Sequence, residues 1–298
     1  MSDAPEHAET IRPPLRQSLA GTARSATSLA PKGSAVAPAS ERPQESASAP
    51  VPVVPLQVGG TQPPLFYMHP HWHGGAFYCF HLARALGPDQ PFYLLDPYQF
   101  VDLDALPTFE HMASGYRAAL QAIQPHGPYR LCGWCGGALI AYEVAQQLRA
   151  RGEAVEALVM IDPQAGPGKL MLLMPRLMSR LMSQIGRLIG LSPGRQLDVF
   201  LVVRHVFRVR HAHYRAMPDF SFMPSRAVLR REWLGPFTWV SAAYAPTAYS
   251  GAITYLLPSE ARRYSRARWG AFATAASRTI LQVPGTSDSV RGTQVQQL

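Results

Sequence analysis

From about Val58 onward, short apolar runs alternate with stretches whose apolar residues recur every three or four positions. The runs Pro64–His69, Pro91–Asp96, Tyr129–Trp134, Val155–Asp162, Ala252–Pro258 and Thr279–Gly285 are too short for helices and read as buried strands. Between them, Phe77–Leu86, Phe109–Ile123 and Ala138–Leu148 read as helices. In the second of these, Phe109, Met112, Tyr116, Ala119 and Ile123 fall on one face. Strands that alternate with helices predict an α/β fold with a mostly parallel sheet covered on both sides. The alternation stops after Asp162. The next ninety or so residues, about 163–250, are rich in Met, Leu and Arg and contain no convincing strand, which predicts an inserted helical subdomain. There, Leu170, Leu173, Met174, Leu177, Met178, Leu181, Met182, Ile185, Leu188 and Ile189 form one apolar stripe, with Arg176, Arg180 and Arg187 elsewhere on the helix. Such a stripe belongs either to a lid helix packed on the sheet domain or to a basic helix lying on a membrane surface.

Residues 1–55 are dominated by Ala, Pro, Ser, Glu and Arg without apolar periodicity and read as a disordered tail ahead of a domain spanning 56–298. No stretch approaches the length of a membrane span, and the first residues lack a secretory pattern. Three cysteines do not make a disulfide framework, so a cytoplasmic setting is expected. The net charge of +9 is uneven. Residues 163–250 hold 12 Lys and Arg against 3 Asp and Glu, whereas residues 1–162 hold 10 against 14. A basic surface of this kind suits an anionic partner, and composition alone does not choose which.

The chemistry concentrates in Leu131-Cys132-Gly133-Trp134-Cys135-Gly136-Gly137, between a predicted strand and a predicted helix. This is G-x-C-x-G in a strand–turn–helix setting, the nucleophile-elbow pattern with Cys for Ser. Gly133 and Gly137 relieve crowding on either side of a tight turn, with Trp134 between Gly133 and the nucleophile. Cys135 falls at the helix start, where unpaired amides and the helix dipole favour a thiolate. The amide of Gly136 is then placed to bind an oxyanion, with a second donor expected from the loop after the first strand, at His71. Cys132 and Cys135 also form C-x-x-C, but a redox fold of that type does not account for the rest of the chain.

These segments resemble the thioesterase domains of nonribosomal peptide and polyketide synthases, members of the α/β-hydrolase superfamily. The resemblance runs from about Val54 to Leu298. It is carried by Pro-Leu-Phe-Tyr-Met-His-Pro before Gly-Gly, by Gly-Trp-Cys-Gly-Gly-Ala-Leu-Ile-Ala-Tyr-Glu-Val-Ala, by Val-Met-Ile-Asp-Pro, by Trp269 and by Val-Pro-Gly-Thr-Ser-Asp-Ser-Val. It implies an α/β-hydrolase fold whose lid is the helical insertion. It also puts Cys135 in the nucleophile position and Asp162, 27 residues later, in the acid position. Two departures stand out. The family usually carries Ser at the elbow, and Ser287 occupies the position of its catalytic His; no His follows His213.

A Ser triad without its base loses on the order of 10⁶ in turnover. A Cys is more tolerant, being partly thiolate near neutral pH. Water still needs a general base to attack an acyl-Cys, whereas a thiol or amine attacks with its own deprotonated fraction. The expected reaction is therefore acyl transfer through acyl-Cys135, as in those stand-alone family members that shuttle aminoacyl groups between carriers. Starting at Met with no carrier module attached, this chain reads as stand-alone too. The alternatives are hydrolytic or cyclising release by a thioesterase and a catalytically impaired protein that binds carriers. His69 and His73, in the loop after the first strand, are candidate substitute bases. No bound cofactor or metal is expected, and phosphopantetheine enters only as the substrate's arm. The expected partner is an acyl or peptidyl carrier protein or a synthase module, docked on the Arg-rich lid. The basic and aromatic run Arg262–Trp269 has no nucleic-acid-binding module beside it, so no nucleic-acid partner is expected.

Overall fold

A computed structural model describes residues 51–69, 77–163, 170–210, 224–260 and 277–286. Seven strands form one sheet: β1 (Val53–Gln57), β2 (Leu65–Met68), β3 (Phe92–Leu95), β4 (Tyr129–Trp134), β5 (Val155–Ile161), β6 (Ile253–Pro258) and β7 (Arg278–Val283). Their spatial order is β1-β3-β2-β4-β5-β6-β7, and only β1 runs antiparallel to its neighbour. The connections are α1 (Phe77–Ala85), α2 (Phe109–Gln121) and α3 (Gly136–Ala150). All six predicted strands and three predicted helices are present, shifted by two residues or fewer at most ends.

The first strand was not anticipated. Val53–Gln57 pairs with β3, and Val51 is already buried, so the chain enters the sheet before residue 56. Its sequence, Val-Val-Pro-Leu-Gln, carries a proline, which an edge strand tolerates because one side of its backbone has no partner to satisfy.

The pleat sorts side chains to the two faces of the sheet. Along β2, Phe66 and Met68 join the core beneath α2, α3 and α7, with Tyr116, Leu131, Tyr142 and Leu158. Tyr67 points the other way, into a cluster with Tyr78 and Cys79 of α1 and Cys132 and Trp134 of β4. The α2 start is fixed by Thr108, whose hydroxyl accepts from the His111 amide at 3.1 Å.

The insertion supplies α4 (Leu170–Leu188), α5 (Pro193–Arg210), α6 (Arg226–Arg231) and α7 (Leu234–Ala243). It has a small core of its own, in which Leu197, Phe200, Leu201 and Leu229 pack with Met178 and Met182. The predicted stripe on α4 is only partly that core. Ser179 and Gly186 are buried, and a Cβ on Gly186 would meet the Gln196 side chain at 2.5 Å. Leu177, Leu181, Ile185, Leu188 and Ile189 instead face outward, Leu188 at 85% exposure. Helix α4 meets α5 through Met178 and Met182 and, at Gly186, through a close approach to Gln196, while the apolar residues on its other side lie outside that contact. Of the lid arginines, Arg230 binds Asp198 at 2.6 Å and Asp104 at 3.1 Å, and Arg204 binds Glu232 at 3.2 Å. Part of the basic excess is thus spent on internal ties. Among the described residues no helix is long and apolar enough to cross a membrane.

Candidate active site

The loops that leave the C-terminal ends of parallel strands share one edge of the sheet, where α/β folds build their sites. Strand β4 ends at Trp134 and α3 begins at Gly136, leaving Cys135 alone to reverse the chain. Its backbone sits at φ 54°, ψ −114°. Cys135 and Asp162 (φ 40°) are the two non-glycine residues with positive φ among those described, and both follow parallel neighbouring strands. Such backbone costs about 1–3 kcal/mol at each residue and persists where the surroundings enforce it. Here they do so by hydrogen bonds across the sheet. The Cys135 amide donates to the Ile161 carbonyl at 2.9 Å, and the Asp162 amide donates to that of Leu256 at 2.8 Å.

The glycines on either side have separate steric reasons. A Cβ on Gly133 would lie 2.3 Å from the Gly137 carbonyl oxygen and 2.7 Å from the Ala138 amide nitrogen, so β4 and α3 touch backbone to backbone. A Cβ on Gly136 would lie 2.9 Å from the ring of Phe237 in α7. That ring is stacked on Trp233, centroids 4.4 Å apart, and Trp233 is tied to the core by a 2.8 Å bond from its indole N–H to the Tyr98 carbonyl. A lid helix therefore abuts the residue whose amide is the expected oxyanion donor. The Cys135 side chain does not cap α3, which leaves the first-turn amides available to a developing anion.

The three cysteines are chemically distinct. Burial pushes the Cys79 thiol up to about 12, and burial raises that of Cys132 further. Both stay protonated near neutral pH and are poor nucleophiles. Cys135 is half-buried at the turn, whereas Cys132 is a buried residue of β4. Cys135 packs against the cluster of Tyr67, Tyr78, Cys132 and Trp134.

His69 closes the same side. It follows β2, whose Met68 pairs with Gly133, and its amide donates to the Leu95 carbonyl at 3.0 Å. The imidazole is buried, with Nδ1 3.2 Å from the Tyr78 hydroxyl, itself 3.1 Å from that of Tyr67. Neither tyrosine was singled out in the sequence, because aromatic residues in a strand and a helix read as core. Their hydroxyls acquire a role only when the fold brings them to His69. The expected oxyanion donor His71, the candidate base His73, Ser287 and the run Arg262–Trp269 lie outside the described residues. Among those described, no group of three or more His, Cys, Asp or Glu is placed to hold a metal ion.

Comparison with known proteins decides the family, since residues 63–245, more than half of the chain, match the Thioesterase domain. The chain belongs to that family. The dimodular nonribosomal peptide synthase of Bacillus subtilis (strain 168) is 38% identical over 112 residues, which is 37% of this thioesterase-family chain and 5% of the synthase. Atromentin synthetase invA5 of Paxillus involutus is 37% identical over 115 residues, 38% of this chain and 12% of that one. The matched segment is thus a small part of these relatives. Among solved structures, a covalent complex of the NocB thioesterase domain with a fluorophosphonate nocardicin G analogue superposes with a TM-score of 0.54 at 25% identity. That comparison covers 82% of this chain and 94% of the other. The α/β-hydrolase fold of those domains is therefore the fold of this protein.

Proposed function

We propose that this thioesterase-family protein moves acyl groups between carrier-protein thiols through an acyl-Cys135 intermediate, in biosynthesis of the nonribosomal-peptide or polyketide type. The observation that carries the reading is a cysteine held at positive φ where β4 turns into α3, within the residues that match the family; the resemblance that sets Ser287 in the position of the family's His adds support. The thiolate attacks the carbonyl of a pantetheine thioester, the negative oxygen rests on the Gly136 amide and a donor in the loop after β2, and the pantetheine thiolate leaves. A second pantetheine thiol then attacks the acyl-Cys by the same path in reverse. The bond formed matches the bond broken, so transfer is close to isoenergetic and needs no bound cofactor. Asp162, without a His at 287, orders the elbow's neighbouring loop rather than a catalytic imidazole.

The relatives that are multidomain synthases support carrier-borne thioesters as substrates, and the basic lid supports an acidic carrier as partner. Hydrolytic release is the second reading, favoured by the family match itself. Incubation with acyl-pantetheine thioesters, followed by intact-protein mass spectrometry, tests the intermediate. A mass increase equal to the acyl group is expected in the wild type and absent in Cys135→Ala. No increase with any donor rejects covalent catalysis and leaves a carrier-binding protein.

A further inference from the structure

The apolar stripe of α4 leaves a surface that the lid core does not use. Leu177, Leu181, Ile185 and Leu188, with Ile189 just past the helix end, are between 46% and 85% exposed. At 3.6 residues per turn, the four within the helix fall inside about 80° of one another, on the side opposite the buried Ser179 and Gly186. They make an apolar ridge about 17 Å long on the outside of the lid. The inward side of the helix keeps its own contacts through Met178 and Met182, so the ridge is free to meet something else while the lid stays folded.

The charge beside the ridge is of one sign. Helix α4 contains no Asp or Glu. Arg180 and Arg187 are exposed and lie about 20° apart around the helix axis, along one border of the ridge, with the exposed Gln184 between them and the leucines. Arg187 donates to the Ser183 carbonyl of its own helix at 3.1 Å, and among the described residues neither arginine forms an ion pair. The lid carboxylates Asp198 and Glu232 are taken by Arg230 and Arg204 instead. The positive charge along α4 is therefore not offset from within the lid.

We infer that this ridge docks on an anionic lipid surface, with its Leu and Ile side chains in the boundary between headgroups and acyl chains and with Arg180 and Arg187 at the lipid phosphates. A helix with a Leu- and Ile-lined face, arginines on its flank and no acidic residue has the composition of helices that lie in the plane of a membrane interface. The long arginine side chains carry their charge out to the headgroups while their stems stay beside the leucines. Charge and shape choose this occupant over two others. A second copy of the chain sets ridge against ridge and brings like charges together, with no carboxylate on α4 to offset them. An acidic protein satisfies the arginines, but residues as exposed as Leu188 then need a matching groove in the partner, whereas a lipid interface deforms around them.

The test is co-sedimentation of the full chain with vesicles of phosphatidylcholine alone and of phosphatidylcholine mixed two to one with phosphatidylglycerol. The wild type is expected to bind the mixed vesicles, to leave the neutral ones in suspension, and to be released as salt rises. Leu181→Gln combined with Leu188→Gln is expected to weaken binding roughly tenfold or more, and Arg180→Gln combined with Arg187→Gln by a similar factor. Both pairs change exposed residues, so melting curves that overlay the wild type show that a contact, not the fold, was lost. Absence of binding to the mixed vesicles, or binding that both pairs leave unchanged, overturns the inference. So does a dimer in light scattering, or a complex with a holo carrier protein, that the leucine pair dissolves while vesicles stay unbound; that result gives the ridge to a protein partner. Vesicle binding needs no acyl donor, so its outcome is independent of the acyl-Cys135 reading.

Discussion

Replacing Cys135 by glycine is expected to leave the protein more stable than replacing it by alanine, while either change abolishes acyl loading. At φ 54°, ψ −114°, a side chain at Cys135 is held in a region that costs about 1–3 kcal/mol for a residue with a Cβ and nothing steric for glycine. Glycine also frees the unfolded chain, which takes back about 0.5–1 kcal/mol. The net gain over Cys135→Ala, which keeps the Cβ, is about 1 kcal/mol, since both variants lose the same sulfur. In a domain of this size that is roughly 2–4 °C in melting temperature. Urea unfolding of the two variants side by side gives the difference directly. A glycine variant less stable than the alanine variant refutes the claim that the elbow stores backbone strain, and with it the reason for finding positive φ at both Cys135 and Asp162.

The remaining predictions concern the thiols, the buried carboxylate and the outer face of the lid. In the native protein at pH 7.5, iodoacetamide is expected to modify Cys135 and spare Cys79 and Cys132; all three react once the chain is unfolded, and native labelling of Cys132 contradicts its raised pKa. Those raised thiols keep their protons in the folded state after the unfolded chain has lost them. Between about pH 9 and pH 12 stability therefore falls as pH rises, which equilibrium unfolding measures. Tyr244→Phe removes the hydroxyl that donates to the buried Glu143 carboxylate at 2.6 Å and is expected to cost about 1–3 kcal/mol, whereas a loss under 0.5 kcal/mol speaks against that contact. Leu181→Gln, on the outward face of α4, is expected to change stability by less than about 0.5 kcal/mol; a core-sized loss places that face against something else.

Much of the fold was legible because apolar runs and three-to-four spacing report burial directly, and burial is what the sheet and its helices share. The elbow was legible for a different reason: two glycines around a cysteine meet a steric demand, visible here as Gly133 touching the α3 backbone. What could not be read depends on which residues meet across the fold. Val53–Gln57 is half exposed and carries a proline, so its pattern is weak, and pairing with β3 makes it a strand. The α4 stripe is periodic and apolar, yet periodicity does not tell a packed face from an outward one, and here Met178, Met182 and Gly186 meet α5 while Leu177, Leu181, Ile185, Leu188 and Ile189 face outward. The Tyr67, Tyr78 and His69 network joins residues of β2 and α1 through their polar tips, which their apolar bodies conceal in a sequence.

The central claim is that acyl-Cys135 passes its acyl group to a thiol in preference to water. Isolating the acyl-enzyme and following its decay by intact mass, with and without pantetheine or a holo carrier protein, measures that partition. The account predicts an adduct that persists in buffer and discharges at least tenfold faster on addition of the thiol, with the acyl group recovered on the acceptor. Decay at one rate with or without thiol, yielding free acid, contradicts it and makes the protein a hydrolase.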